Sequence, residues 1–116
     1  MAKTAKLRLL DALEAIASIN SFIGSLPLEE FLANEMVQAA VLFKPGVIGE
    51  ALNKAAELDD SLREAISDLG KIIGMRNRIV HAYDQIDFEI LWEAIHSDLP
   101  ELKIRLENYL AEGVSV

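Results

Sequence analysis

The stretch "GMRNRIVHAY", residues 74–83, places two arginines, an asparagine, a histidine and a tyrosine in what otherwise reads as a buried helix. On 3.6 residues per turn, Leu62, Ile66, Leu69, Ile73, Arg76, Val80 and Tyr83 fall on one stripe. An arginine in phase with a core stripe is costly unless it is paired or reaches a cleft. Arg78 falls elsewhere, with Glu64, Asp68 and Lys71, on what reads as the solvated face. A second row holds Gly70, Gly74, Asn77 and His81. Two glycines inside a helix cost roughly 1 kcal/mol each relative to alanine. That cost makes sense where a partner helix or a ligand's phosphate approaches the backbone. Taken singly, each residue has a bland reading: an arginine whose stem packs while its head reaches water, a structural histidine, a core tyrosine with its hydroxyl at the surface. Their joint placement reads as a site, without naming its chemistry.

The elements that must position these residues follow from helical spacing. Leu9, Leu13, Ile16, Ile19 and Ile23 step along one face of a helix over residues 5–24, with Asp11, Glu14, Ser18 and Ser21 opposite. "GSLP" ends it: Gly24 terminates, Ser25 caps and Pro27 suits a new first turn. The second helix is predicted from Pro27 to Phe43, and "KPG" at 44–46 breaks it. The third runs from Val47 to Leu58. Ser61 with Glu64 fits a capping box for a fourth helix that continues to Ala82. "DQID" turns the chain and Asp87 caps the last helix. There, Leu91, Ile95, Leu99, Leu102, Leu106 and Leu110 keep one phase across Pro100, which predicts one long helix with a kink. No β-type alternation, repeat or linker interrupts the series. The expectation is a single all-α domain over residues 1–116, an up-and-down helical bundle of about five helices.

Composition narrows the function. The 116 residues are 52% hydrophobic, enough for a core and against disorder. There is no cysteine, which removes disulfides, thiolate catalysis and thiolate metal sites. Asp11 and Glu14 interrupt the apolar run after "KTAKLRLL", so no signal peptide is read, and no stretch is long and apolar enough to span a membrane. A cytoplasmic protein is the simplest expectation. The net charge of −8 taken alone argues against nucleic acid. The charge is unevenly spread, however. Leu69–Tyr83 holds no acid but carries Lys71, Arg76 and Arg78, and Lys3–Leu10 carries Lys3, Lys6 and Arg8. A small basic surface on an acidic body is compatible with these numbers.

The chain resembles the HEPN superfamily, most closely the HepT-like toxins encoded beside minimal nucleotidyltransferase antitoxins. The resemblance rests on Arg76, Asn77, "RIV", His81, extended to Tyr83. It continues in "VIGEA" at 47–51, "GMRN" at 74–77 and "IDFEILWEAIHSDLPELK" at 86–103, and so covers most of the chain. It implies a homodimer whose two motif helices meet across a cleft, where the glycine row at Gly70 and Gly74 permits close approach. It implies metal-independent RNA cleavage with no cofactor. His81 would be the general base on a ribose 2′-hydroxyl, Arg76 would neutralise the phosphate, and Asn77 would orient His81 or bond a phosphate oxygen. The product would be a 2′,3′-cyclic phosphate. Tyr83 would be the residue that the partner nucleotidyltransferase modifies with AMP, an anion that occupies the phosphate site. "LFKPG" at 42–46 departs from the family pattern, and so does the short segment between the third and fourth helices. Both bear on the cleft rim and on substrate choice.

The rival reading is a non-enzymatic module that docks a separate nucleotidyltransferase and binds phosphate through the same Arg and His; the fold supports either. A metal site is the weakest reading, because the only histidines, His81 and His96, lie on different helices and only Glu93 stands near His96. His96 reads as a surface or interface residue, Trp92 as core or interface. Lys3, Lys6 and Arg8 read as a solvated helix start, with electrostatic help to RNA binding as the lesser alternative.

Overall fold

The computed structural model describes residues 3–82 and 85–112, with residues 81 and 82 described by their backbone alone. Helix α1 (Ala5–Ile23) begins where the Thr4 hydroxyl accepts from the Leu7 N–H and ends at Gly24, whose φ of 53° an L side chain rarely adopts. It buries Leu9, Ala12, Ile16, Ile19 and Ile23 against α4 (Lys44–Leu58), which answers with Ile48, Leu52 and Ala55. Buried alanines on both helices, Ala12 and Ala15 of α1 and Ala51 and Ala55 of α4, keep the side chains between them small.

The predicted second helix is two. α2 (Leu28–Leu32) stops at Ala33, and α3 (Glu35–Leu42) starts anew because the Asn34 side chain accepts from the Val37 N–H. Gln38, the one buried polar residue among those described, donates to the carbonyls of Phe31 and Leu32 at 2.9 and 3.0 Å. It thereby satisfies the end of α2 and holds the bend. α4 begins at Lys44, three residues before the predicted start. Pro45 sits in its first turn, where no N–H is missed, so the proline opens the helix as well as closing α3.

The predicted fourth helix is the largest departure. Residues 61–82 form α5 (Ser61–Ala65), α6 (Leu69–Ile73), α7 (Met75–Ile79) and a strand, β1 (Val80–Ala82), paired antiparallel with β2 (Gln85–Ile86). Ser61 and Glu64 form no capping box; the Asp59 carboxylate takes both the N–H and the hydroxyl of Ser61. Two glycines and the β-branched pairs Ile72–Ile73 and Ile79–Val80 weaken the helix locally. The compensation is tertiary. The core phase Leu62, Ile66, Leu69 slips at Gly74 to Met75 and Ile79, each 1% exposed. The slip takes Arg76 off the core stripe and onto the surface.

The last helix is continuous through α8 (Phe88–Glu93), a π-helical turn (Ala94–Asp98) and α9 (Leu99–Ala111). Its buried face is Leu91, Ile95, Leu99, Leu102 and Leu106, as the sequence predicts. The irregularity lies just ahead of Pro100: the widened turn relieves the conflict between the proline ring and the carbonyl four residues back. Asp87 caps α8, accepting from the Ile90 N–H at 3.0 Å. Phe88 meets Phe31 edge to face at 6.2 Å.

Polar ties run from the broken segment to this last helix. The Tyr109 hydroxyl donates to Asp59 at 2.6 Å, Arg105 meets Asp68 at 2.6 Å, and Arg78 meets Asp98 at 3.4 Å. Hydrogen bonds from Ser61 and Tyr109 hold the Asp59 carboxyl below its ordinary pKa, and the Arg105 hydrogen bond does the same for Asp68. Partial burial and the bond to Asp59 push the Tyr109 hydroxyl up.

α4 receives the segment on bare backbone. A β-carbon at Gly49 would lie 2.8 Å from the Ile73 carbonyl oxygen, whereas one at Gly70 would meet nothing within 4 Å. Gly49→Ala is therefore expected to destabilise the protein by about 1–3 kcal/mol in urea unfolding, and Gly70→Ala to leave stability unchanged or raise it by up to about 1 kcal/mol. Tyr109→Phe is expected to lower the melting temperature at pH 7. Because the Asp59 carboxyl is held below 3.8, its contribution is complete above that pH and is lost as pH falls through the folded-state value. The gap between variant and wild type should then close below pH 3.8. A gap constant across a pH series would show that the Tyr109–Asp59 bond contributes nothing.

Candidate functional site

Met75 and Ile79, four apart, anchor α7 in the core and turn the rest of that short helix outward. Arg76 and Asn77 share this exposed side. The stem of Arg76 lies over Gly46, where a β-carbon would stand 3.3 Å from its Cδ. The glycine thus makes room for the aliphatic part, and the guanidinium is left outward. Among the described residues Arg76 forms no ion pair, while its neighbour Arg78 is engaged by Asp98. The two arginines of the motif are therefore not equivalent among the described residues: Arg78 has a surface carboxylate partner and Arg76 has none.

The chain leaves α7 into β1. Val80 stands opposite Ile86 and Ala82 opposite Gln85, so two steps on one strand match one on the other, and His81 is the extra residue of a β-bulge. Bulges re-aim the residue they carry and concentrate near functional sites. The Asp87 N–H donates to the Ile79 carbonyl at 2.8 Å and closes the base of the hairpin, while the Asp87 side chain caps α8. One aspartate therefore joins the motif strand to the last helix. The His81 side chain and all of Tyr83 lie outside the described residues.

Beside Arg76 is a cavity of about 460 Å³. Its apolar walls are Ala39, Leu42, Val80 and Ile86, with Gly46 beneath Arg76 and Phe43 on the rim. Phe43 is 75% exposed. Its backbone is the single helical-angle joint between α3 and α4, and Pro45 follows two residues later. No carboxylate lines this cavity among the described residues.

A second cleft of about 500 Å³ shares Phe43 and Gly46 but has a different character. Lys3, Arg8 and Lys44 line it together with Asp11, Glu14 and Glu50, and Lys3 is paired with Asp11 at 2.6 Å. Equal numbers of both signs give an anion little net attraction. Of the N-terminal cations Lys3 is answered by Asp11, while the Arg8 Nε is buried without a hydrogen-bond partner among the described residues.

Gly70 and Gly74 do not serve a close approach among the described residues. Gly70 is exposed with open space about it, and a β-carbon at Gly74 would stand 3.4 Å from the Gly70 carbonyl oxygen, an ordinary contact. The close approaches are at Gly46 and Gly49. The sequence reading set Gly46 in a break ahead of the third helix; with α4 starting at Lys44, the two glycines stand three apart on one helix, a spacing that shares a face. His96 is exposed, stacks on Trp92 at 4.0 Å, and sets its Nδ1 2.8 Å from the Trp92 carbonyl oxygen. Trp92 is half-buried against the core.

A family model described as "Ribonuclease HepT-like" matches residues 12–109. "Putative RNase MJ1380" of Methanocaldococcus jannaschii is 30% identical over 101 residues, covering 85% of this chain and 90% of its own. "Probable ribonuclease HepT" of Thermococcus cleftensis is 32% identical over 98 residues, covering 84% and 88%. No solved structure matches. No described helix is long and apolar enough to cross a membrane.

The packing of Arg76 on Gly46 has a direct check. Gly46→Ala is expected to leave stability within about 1 kcal/mol of wild type, since alanine favours a helical first turn, while shifting the Arg76 Nε–Hε resonance in an NMR spectrum. An unmoved resonance would show that the stem does not rest there.

Proposed function

The chain belongs to the HepT-like ribonuclease family, and from that premise we propose that it is a metal-independent endoribonuclease toxin of a toxin–antitoxin pair. In this reading two copies form a homodimer and their motif segments face each other across a cleft that binds RNA. Exposed glycine backbone at Gly70 supports it, because no contact among the described residues accounts for a glycine there. The observation that carries the reading is Arg76: an exposed guanidinium, unpaired among the described residues, at the edge of a cavity with no carboxylate among its described lining, five residues before His81.

The His81 imidazole takes the proton from a ribose 2′-hydroxyl as that oxygen attacks the adjacent phosphorus. The bond from phosphorus to the 5′-oxygen breaks, and that oxygen takes up a proton as it leaves. The products are a 2′,3′-cyclic phosphate and a 5′-hydroxyl end. Arg76 binds the phosphate oxygens as charge builds on them, a task suited to a planar, permanently charged donor. Asn77, on the same exposed side as Arg76, orients His81 or donates to a phosphate oxygen. No step requires a metal or a cofactor.

Tyr83 follows His81 by two residues. Its modification with AMP by a minimal nucleotidyltransferase antitoxin would set a bulky anion beside Arg76, filling the phosphate site and repelling RNA. Neutralisation then needs only local charge and bulk. The partner and its action are cytoplasmic in this reading.

Expression without the partner is expected to arrest growth and to yield RNA fragments with cyclic-phosphate ends. Cleavage by purified protein should persist in EDTA. His81→Gln should lower kcat by about a hundredfold or more, and Arg76→Ala by a similar factor, with folding and oligomeric state intact. Undiminished growth and intact RNA with folded wild-type protein would sink the nuclease reading in favour of a binding module that docks a nucleotidyltransferase.

A further inference from the structure

We propose that the cavity beside Arg76 is a nucleobase subsite, in which the Phe43 ring stacks on the base of the nucleotide whose phosphate Arg76 holds. The proposal rests on the ribonuclease reading for its substrate class, single-stranded RNA, and adds the residue that grips the base.

The cavity combines an exposed aromatic face, one cation and an otherwise apolar lining among the described residues. That pairing matches a nucleotide, which is a flat π-face joined to an anion. It is also the combination by which proteins hold single-stranded nucleic acid with little regard to sequence. A volume of about 460 Å³ lies within the range of small-ligand sites. Phe43 is held for the task. Its backbone is fixed between two helices, its neighbour Pro45 is buried, and α4 cannot slide because Gly49 is closed against the Ile73 carbonyl. A ring that is 75% exposed contributes little to the core and presents its face to a ligand. The second cleft offers no such site, since its three carboxylates offset its three cations.

The test separates base gripping from cleavage. A single-stranded oligonucleotide carrying 2′-fluoro groups throughout has no attacking hydroxyl, and its affinity can be read by fluorescence anisotropy. Phe43→Ala and Phe43→Leu are expected to weaken binding by roughly five- to a hundredfold, while Phe43→Trp binds within about twofold of wild type. Placing abasic nucleotides in the oligonucleotide should weaken the wild type but not Phe43→Ala. Thermal unfolding and sedimentation should be unchanged, because the side chain is exposed.

The proposal is overturned if wild type does not bind, if Phe43→Ala binds like wild type, or if Phe43→Leu does, which would make Phe43 an apolar cover. It is equally overturned if Phe43→Ala alters the oligomeric state, which would place the ring in a contact between copies. The two readings fail separately. Phe43-dependent binding without cleavage of 2′-hydroxyl RNA would retain the subsite and reject the nuclease. Cleavage that is indifferent to Phe43 would do the reverse.

Discussion

One close contact decides where the candidate site lies. Gly49 of α4 gives up its side chain so that the Ile73 carbonyl can approach to a distance no β-carbon tolerates. A core contact of that kind locks two backbones together, because neither can move without opening a void or a clash. Three residues earlier on the same face, Gly46 admits the stem of Arg76. The same bare strip of α4 thus sets the height of the motif segment and the orientation of its first charged residue. Helix α1 enforces it from behind, packed along α4 through small and branched apolar residues.

The motif segment needs this support because its own sequence is poorly suited to one helix. Glycines, β-branched pairs and a strand follow one another within residues 69–82. Local preference and tertiary demand are in conflict there, as is common where function is placed. Three polar ties to the last helix and the apolar side chains Leu62, Ile66, Leu69, Met75 and Ile79 resolve the conflict. Arg78 takes part in this framework through Asp98, whereas Arg76 forms no ion pair among the described residues.

The apolar phases of α1, α4 and the last helix were legible because long helices repeat their period several times. Capping by Asp87 and termination at Gly24 were legible because the chemistry is local. The fourth helix was not. Its apolar residues fit one helical stripe through Arg76, yet the core takes Met75 and Ile79 instead, because contact with α4 outweighs the local period. Placing Arg76 on a core stripe was therefore an error of phase, although the suspicion that it reaches a cleft agrees with its position. The hairpin was missed because two short strands leave no alternation to read. Phe43 went unnoticed for a similar reason: as a lone aromatic at a helix joint, it acquires meaning only beside Arg76, 33 positions away in the chain.

The ties between the broken segment and the last helix lie mostly at the surface, while α1 and α4 are joined by fully buried side chains. The two kinds of tie answer differently to the solvent. Salt screens the exposed pairs Arg78–Asp98 and Arg105–Asp68. It does not reach Leu62, Ile66, Leu69, Met75 and Ile79, which are buried with the core, or the contact of Ile73 with Gly49. The position of Arg76 is thus set by apolar packing and backbone contact, which ionic strength leaves in place.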